Sequence, residues 1–176
     1  MHVRNERSDM RLLAILCLFA GLLAGCEKDE SNKVNARTIT CPESWQEQEL
    51  ALAGFEGTSY LSPIENAVSD DFRENVSMIF EEIPPSLAWS EYIALSKTNL
   101  GRQLNNLEII GQREKPIGPY RATIIDLAHQ QGVYSLRVRT FFVQADKGAY
   151  IITCTAGNDT FEAFESQFEQ IADTFQ

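Results

Sequence analysis

Hydrophobic and polar positions repeat along this chain with two different periods, and each period predicts a different element. In residues 75–83, Val76, Met78 and Phe80 alternate with polar neighbours, as in a strand that buries one face. In residues 161–175, phenylalanine and isoleucine recur every three or four positions, the spacing of a helix with one apolar face. The chain therefore combines strands and helices.

Turn and helix-start residues divide the rest of the chain. We expect a first short strand or turn at residues 38–45, a second strand at 54–63 and a loop at 64–71. Ser86, after a proline pair, is the expected N-cap of a helix that runs to about Leu104.

The second half of the chain predicts further strands and a closing helix. The extended segments are residues 107–113, 120–128, 133–144 and 149–155. Asn158 or Asp159 is the expected cap of the last helix, with its acidic residues on the solvent side. This order of elements predicts an α+β fold, an antiparallel β-sheet covered by helices.

The first 26 residues have the pattern of a lipoprotein signal peptide. Residues 12–24 are almost wholly apolar, long enough for the core of a signal peptide but short for a membrane-spanning helix. The run ends in Leu-Ala-Gly-Cys, which predicts cleavage before Cys26 and lipid attachment (thioether diacylglycerol, and palmitate as an acyl chain) at its sulfur. The alternatives are an ordinary cleaved signal and a short anchor helix with an incidental cysteine. Met10 is a candidate start because acidic residues precede it.

We therefore divide the chain into a signal peptide at 1–25, a flexible tether at 26–37 and one domain at 38–176. Lipidation predicts a membrane-anchored protein that faces the periplasm. The absence of aspartate directly after Cys26 resembles enteric sorting signals for the outer rather than the inner membrane. After cleavage, 12 Lys and Arg stand against 23 Asp and Glu, so the chain is acidic and nucleic acid is a poor partner.

Two cysteines remain in the domain once the signal peptide and Cys26 are set aside. Cys41 and Cys154 would face an oxidising compartment, in which disulfides persist, so we expect them to pair. The alternative is two separate buried thiols.

Patterns that support catalysis or metal binding are not found in the sequence. His129 is the single histidine after the signal peptide, and beside Gln130, Gln131 and Gly132 it is expected in an exposed turn. There is no CxxC or HExxH spacing and no glycine-rich phosphate loop, so we expect no cofactor, no metal site and no enzyme activity. Arg137 and Arg139 share a strand face, with Arg121 on a neighbouring strand. They are either a solvated face or a docking patch for an anionic head group or acidic partner.

Several segments together resemble the Mog1/PsbP-like superfamily, and more narrowly its DcrB-like (DUF1795) branch, which includes periplasmic lipoproteins. Together the segments span residues 41–175. The first two are the F-x-x-N-V pattern at 72–76 and the helix after the proline pair. The other three are the Gly-x-x-x-Ala strand at 118–122, the hairpin strand at 149–155 and the closing Ile-Ala-Asp-Thr-Phe at 171–175. The resemblance implies an α/β/α sandwich used for protein contact, without catalytic residues.

The function expected from these features is a non-enzymatic, periplasm-facing lipoprotein that binds an envelope protein and supports envelope integrity. A second hypothesis is a carrier of lipid or another small molecule in a cavity between the sheet and the helices. The sequence identifies neither the partner nor the oligomeric state.

Overall fold

The computed structural model describes residues 37–52, 55–64 and 72–176. The expected signal peptide, the lipidation site Cys26 and residues 26–36 of the tether lie outside these residues. So does most of the loop expected at residues 64–71.

Seven strands and two helices make up the described residues, and the expected α+β class is confirmed. In chain order they are β1 (Gln46–Leu52), β2 (Phe55–Leu61), β3 (Asn75–Glu82), α1 (Trp89–Gln103), β4 (Asn105–Ile117), β5 (Tyr120–Gln131), β6 (Tyr134–Ala145), β7 (Gly148–Gly157) and α2 (Phe161–Asp173).

The strands form one antiparallel sheet in the order β1-β2-β3-β7-β6-β5-β4. Most neighbouring strands are joined by short hairpins. The link that contains α1 is different, because it leaves β3 in the middle of the sheet and returns at the edge as β4. This crossover places α1 over one face, and α2 after β7 returns over the other.

Both faces of the sheet are buried, each under its own helix. Ile124 and Phe141 pack with Phe168 of α2, whereas Ile125 and Phe142, one position along each strand, pack with residues of α1. Successive strand residues point to opposite faces, so the nearly unbroken apolar runs of β5 to β7 supply both cores. The expected α/β/α sandwich is confirmed.

The helix starts differ from those expected. Helix α1 begins at Trp89 with Ala88 as N-cap, and the Ala88 N–H donates to Glu91 at 3.1 Å; Ser86 lies in the preceding turn. The N-cap of α2 is Thr160 rather than Asn158 or Asp159. Its hydroxyl donates to Glu74 at 2.7 Å and so joins the helix start to the chain before β3.

Of the two alternatives expected at residues 38–45, a short strand or a turn, the structure shows the turn. Residues 38–45 form no strand: they lie beside α2 and turn at 43–44, and β1 begins only at Gln46. Strand β1 is an edge strand whose glutamates and glutamines are mostly exposed, so its apolar signal is weak.

We predict that Ile124→Ala lowers the free energy of unfolding by about 2–5 kcal/mol, because Ile124 is fully buried and its removal leaves a cavity. Ile110→Ala on the neighbouring strand is the matched control; Ile110 is 47% exposed, and the expected change is within about 0.5 kcal/mol. Urea unfolding of both variants measures the difference. Equal losses would contradict the assignment of β5 to the core.

Candidate functional site

The three arginines of the predicted docking patch do not form one surface. Arg137 and Arg139 lie on the α2 side of β6, as their spacing requires. Arg121 lies on the opposite side of the sheet, because Thr123, two residues on, accepts a hydrogen bond from Trp89 of α1 at 3.0 Å. Arg121 is largely exposed and pairs with Glu114 at 3.0 Å.

Arg139 is 4% exposed and lies at the centre of an ion-pair network between the sheet and α2. Its guanidinium donates to Asp126 at 2.5 Å, to Glu165 at 2.7 Å and to Glu169 at 3.0 Å. Two further cations, Arg113 and Lys115 of β4, extend the network to Asp126, Glu169 and Asp173. Arg139 is therefore engaged inside the domain and does not face a partner.

The electrostatics of the network keep its cations charged. Burial by itself lowers the pKa of Arg139, but hydrogen bonds to Asp126 and Glu165 and the nearby carboxylates outweigh burial and raise it. The pKa of Lys115 is raised in the same way by Asp173 and Glu169 against the effect of its burial. The network thus fixes α2 against β4, β5 and β6.

Arg137 has a different environment from Arg139. Its guanidinium lies 4.6 Å from the centre of the Phe161 ring, at the start of α2. Arg137 is half-buried, and its Nε has no hydrogen-bond partner among the described residues. Its positive charge therefore faces an aromatic ring rather than a carboxylate.

The sequence analysis missed the acidic half of this network. Glu165 and Glu169 were expected on the solvent side of α2, but both turn toward the sheet at the margin of its apolar face. Their spacing of four residues places them on one side of the helix. That spacing, together with Arg113 and Lys115 two apart on β4, was the available signal.

Cys41 and Cys154 are both thiols in the structure, so the expected disulfide is not formed there. Cys154 is fully buried, and Cys41 is half-buried against the same cluster of core residues. Burial, with a smaller contribution from Glu47, raises the pKa of the Cys41 thiol to about 12. Burial also raises the pKa of Cys154 well above its usual value. Both thiols are therefore protonated at neutral pH.

His129 is not the exposed turn residue that the sequence predicts. It is 4% exposed and lies near the end of β5, which continues to Gln131 before the chain turns. Burial lowers the pKa of its imidazole, and a backbone hydrogen bond offsets this only in part. His129 is therefore neutral in the folded domain at neutral pH.

Residues 37–45, which we name the strap, set the point at which the chain enters the domain. Thr38 and Gln176 exchange two backbone hydrogen bonds of 3.0 and 3.2 Å, and the Thr40 N–H donates to the Thr174 hydroxyl at 2.7 Å. Ile39 and Trp45 are buried in the core under α2. Arg37 stacks over Tyr120 at 5.2 Å. The chain before the strap therefore leaves beside the β4–β5 turn, which we name the anchor end.

Exposed large apolar side chains occur away from the anchor end. Val133, 87% exposed, lies in the β5–β6 turn at the other end of the sheet, which we name the distal end. Ile64 follows the end of β2, where Leu61 pairs with Asn75 at the same end. Ile109 and Ile110 lie at an irregularity in β4, nearer to the distal end. The neighbouring side chains of Asn105, Asn106, Gln130 and Gln131 are polar but uncharged.

A cluster of metal ligands does not form in the described parts of the chain. Within residues 37–52, 55–64 and 72–176, no cluster of three or more histidine, cysteine or acidic residues could hold a metal ion. An open cleft of about 180 Å³ is lined by residues 83–85, Leu87, Trp89 and residues 144–148. No described helix has the length and apolar character to span a bilayer.

The fold defined by this sheet and these two helices is that of the PsbP/Mog1-like proteins. A putative regulator of unknown function, PA94 from Pseudomonas aeruginosa, matches at a TM-score of 0.56 and 16% identity over 80% of this chain and 96% of that one. LpqN of Mycobacterium tuberculosis, which is involved in cell envelope biogenesis, matches at a TM-score of 0.59 and 11% sequence identity. The match covers 84% of this chain and 86% of LpqN.

Cyanobacterial PsbP from Synechocystis matches at a TM-score of 0.54 and 15% identity over 88% of this chain and 98% of that one. No family model and no curated protein matches the sequence. The chain thus shares the PsbP/Mog1-like fold, and at these identities the likeness concerns fold alone.

We predict that Arg139→Gln lowers the free energy of unfolding by about 3 kcal/mol, because it removes the central cation from the buried carboxylate of Asp126 and the partly exposed carboxylate of Glu169. Arg121→Gln is the matched control, since its single exposed ion pair contributes less than about 1 kcal/mol. Chemical unfolding of the two variants measures both values. Similar losses would show that the network does not hold α2 to the sheet.

We also predict that His129 makes the domain less stable in acid. The pKa of His129 is lower in the folded domain than its ordinary value of 6.5, so the unfolded chain binds a proton at a higher pH than the folded domain does. The free energy of unfolding therefore falls as the pH drops from about 6.5 to the pKa of the folded state. Above pH 6.5 the imidazole is neutral in both states and the effect vanishes. His129→Gln should reduce the pH dependence of thermal unfolding between pH 6.5 and 5; an unchanged dependence would contradict the assignment.

Proposed function

We propose that this chain is an envelope lipoprotein of the DcrB-like type, lipidated at Cys26, that works by binding another protein and not by catalysis. The signal-peptide pattern and the residues shared with that branch support the proposal. So does the fold, which occurs in LpqN, a protein involved in cell envelope biogenesis. A shared fold does not by itself imply a shared function, so the main argument for the proposal is the geometry of this domain.

The observation that carries the proposal is the separation of the two ends. The strap fixes the exit of the tether at the anchor end, and Val133 and Ile64 are exposed at the distal end. Eleven peptide steps separate Cys26 from Arg37, which corresponds to roughly 40 Å at full extension and about 18 Å as a coil. In the proposed arrangement the tether keeps the domain near the membrane, and the distal end is the end farther from the point of attachment.

The distal end has the chemistry of a small protein-binding surface. Burial of the exposed side chains of Val133 and Ile64 by a partner favours binding, at about 25 cal/mol per Å² of apolar area. The amide side chains around Val133 add hydrogen-bond donors and acceptors without net charge. The partner that fits is therefore a protein with an apolar, weakly charged contact surface, which the overall acidity of this chain does not repel.

The same surface suits a protein better than nucleic acid or an anionic lipid. Binding to a phosphate backbone needs clustered lysine and arginine. Of the three arginines considered for such a role, Arg139 is in the ion-pair network, Arg137 faces Phe161 and Arg121 pairs with Glu114. Each of these three arginines would have to leave its present contact to bind a phosphate group.

The test is crosslinking in intact envelopes that carry the wild-type protein, Cys26→Ala, Val133→Asp or Ser86→Asp. We expect specific crosslinked partners with wild type, their loss with Cys26→Ala and at least a fivefold reduction with Val133→Asp. Ser86→Asp adds the same charge at an exposed position near the anchor end and is expected to retain the partners.

Two outcomes would contradict the proposal. Equal crosslinking by Val133→Asp and wild type would show that the distal end is not the contact surface. Lipid that co-purifies with the domain in place of a protein partner would favour the carrier hypothesis. Mass spectrometry of the purified protein under native conditions distinguishes the two.

A further inference from the structure

The strap and the central strand β7 each contribute one thiol to the same core cluster. A row of paired residues crosses the α2 face of the sheet, in which Tyr60 lies opposite Val76 and Val76 lies opposite Cys154. Cys41, on the strap, packs against the same cluster as Tyr60, Val76 and Cys154. Charge on Cys41 would raise the pKa of both Tyr60 and Cys154, which agrees with this placement.

We propose that Cys41 and Cys154 form a redox latch, in which oxidation to a Cys41–Cys154 disulfide links the strap covalently to β7. Docking of the strap then shields the two sulfurs from further thiol–disulfide exchange. The inference rests on the export proposed above, because disulfides persist outside the reducing cytoplasm. The thiols of the structure are the reduced state of the latch.

The oxidation requires a disulfide-bearing oxidant, either a small disulfide or a dithiol–disulfide oxidoreductase. A thiolate of Cys41 or Cys154 attacks the oxidant disulfide and forms a mixed disulfide, and the first thiol of the oxidant leaves. The second cysteine then displaces the remaining oxidant thiol, so one S–S bond forms in the protein. Two protons and two electrons pass to the oxidant, which ends as two thiols.

The packed domain is a poor substrate for this exchange. The attacking species is the thiolate, and both thiols are held protonated by burial in the docked state. Cys154 is also closed to any oxidant by the strands and helix around it. Oxidation must therefore occur before the strap docks, as the exported chain folds, or during transient release of the strap.

The strap is suited to local release. It forms no strand, and its described polar contacts with the end of α2 are the Thr38–Gln176 backbone pair and the bond from Thr40 to Thr174. Ile39 is the buried side chain nearest to these bonds along the chain. Loss of that side chain should release the strap more often than loss of a side chain in the core under α1.

The experiment uses the whole chain with Cys17→Ala and Cys26→Ala, so that Cys41 and Cys154 are the remaining thiols. Reduced protein is exposed to oxidised glutathione either during refolding or after folding is complete, and the disulfide is counted by mass spectrometry of unreduced peptides. We expect a Cys41–Cys154 disulfide in both cases, at least about tenfold more slowly in folded protein.

Two further substitutions separate release of the strap from general unfolding. Ile39→Ala should speed oxidation of the folded protein severalfold. Leu100→Ala, which removes a buried side chain from the core under α1, should leave the rate close to that of the parent chain. Hydrogen exchange at residues 38–41 reports release of the strap in the same samples.

The proposal is overturned if no Cys41–Cys154 disulfide forms on refolding, or if folded and refolding protein oxidise at the same rate. It is also overturned if Leu100→Ala and Ile39→Ala accelerate oxidation equally. All three results concern purified protein, so they are independent of whether the envelope experiment finds a partner.

Discussion

Docking of α2 on the sheet is the interaction on which the rest of this structure depends. The helix packs against β7 and β6 with Phe161 and Phe168 on its apolar side, and Glu165 and Glu169 on its acidic side contact the guanidinium of Arg139. Burial of the apolar side chains favours packing, and the three carboxylate contacts of the buried Arg139 join the helix to β5 and β6 at defined residues. Since the strap packs beside α2 and bonds to its last turn, the position of the anchor end follows from the same docking.

The interior of the domain could be predicted from sequence because its signals are local. The alternation in β3, the apolar runs of β5 to β7 and the phenylalanine spacing of α2 each follow from which face of one element is buried. The fold class comes from the order of such elements, whereas the α/β/α layer arrangement was implied by the resemblance to the Mog1/PsbP-like superfamily. The positions of the turns after β5 and β6 were close to those observed because glycine marks both of them.

The errors arose where a residue's environment is set by distant parts of the chain. Strand β1 has little apolar signal, because it is an edge strand and pairing with β2 defines it. His129 beside a glutamine pair suggested a turn, yet β5 continues past it because β4 and β6 pair on both sides. Arg139 was considered for a docking surface because its carboxylate partners lie 13, 26 and 30 residues away in sequence. The four-residue spacing of Glu165 and Glu169 places them on one side of α2, but it does not identify the distant cation that they contact.

The first and last residues of the described domain lie next to each other. Thr38 and Gln176 are joined by reciprocal hydrogen bonds, so the described domain starts and finishes side by side. A circular permutant that connects these two residues by a short linker and opens the chain at the β5–β6 turn would preserve every strand pair. In such a protein the new N-terminus would lie at Val133, so any segment that precedes the domain would leave from the distal end instead of from beside Tyr120.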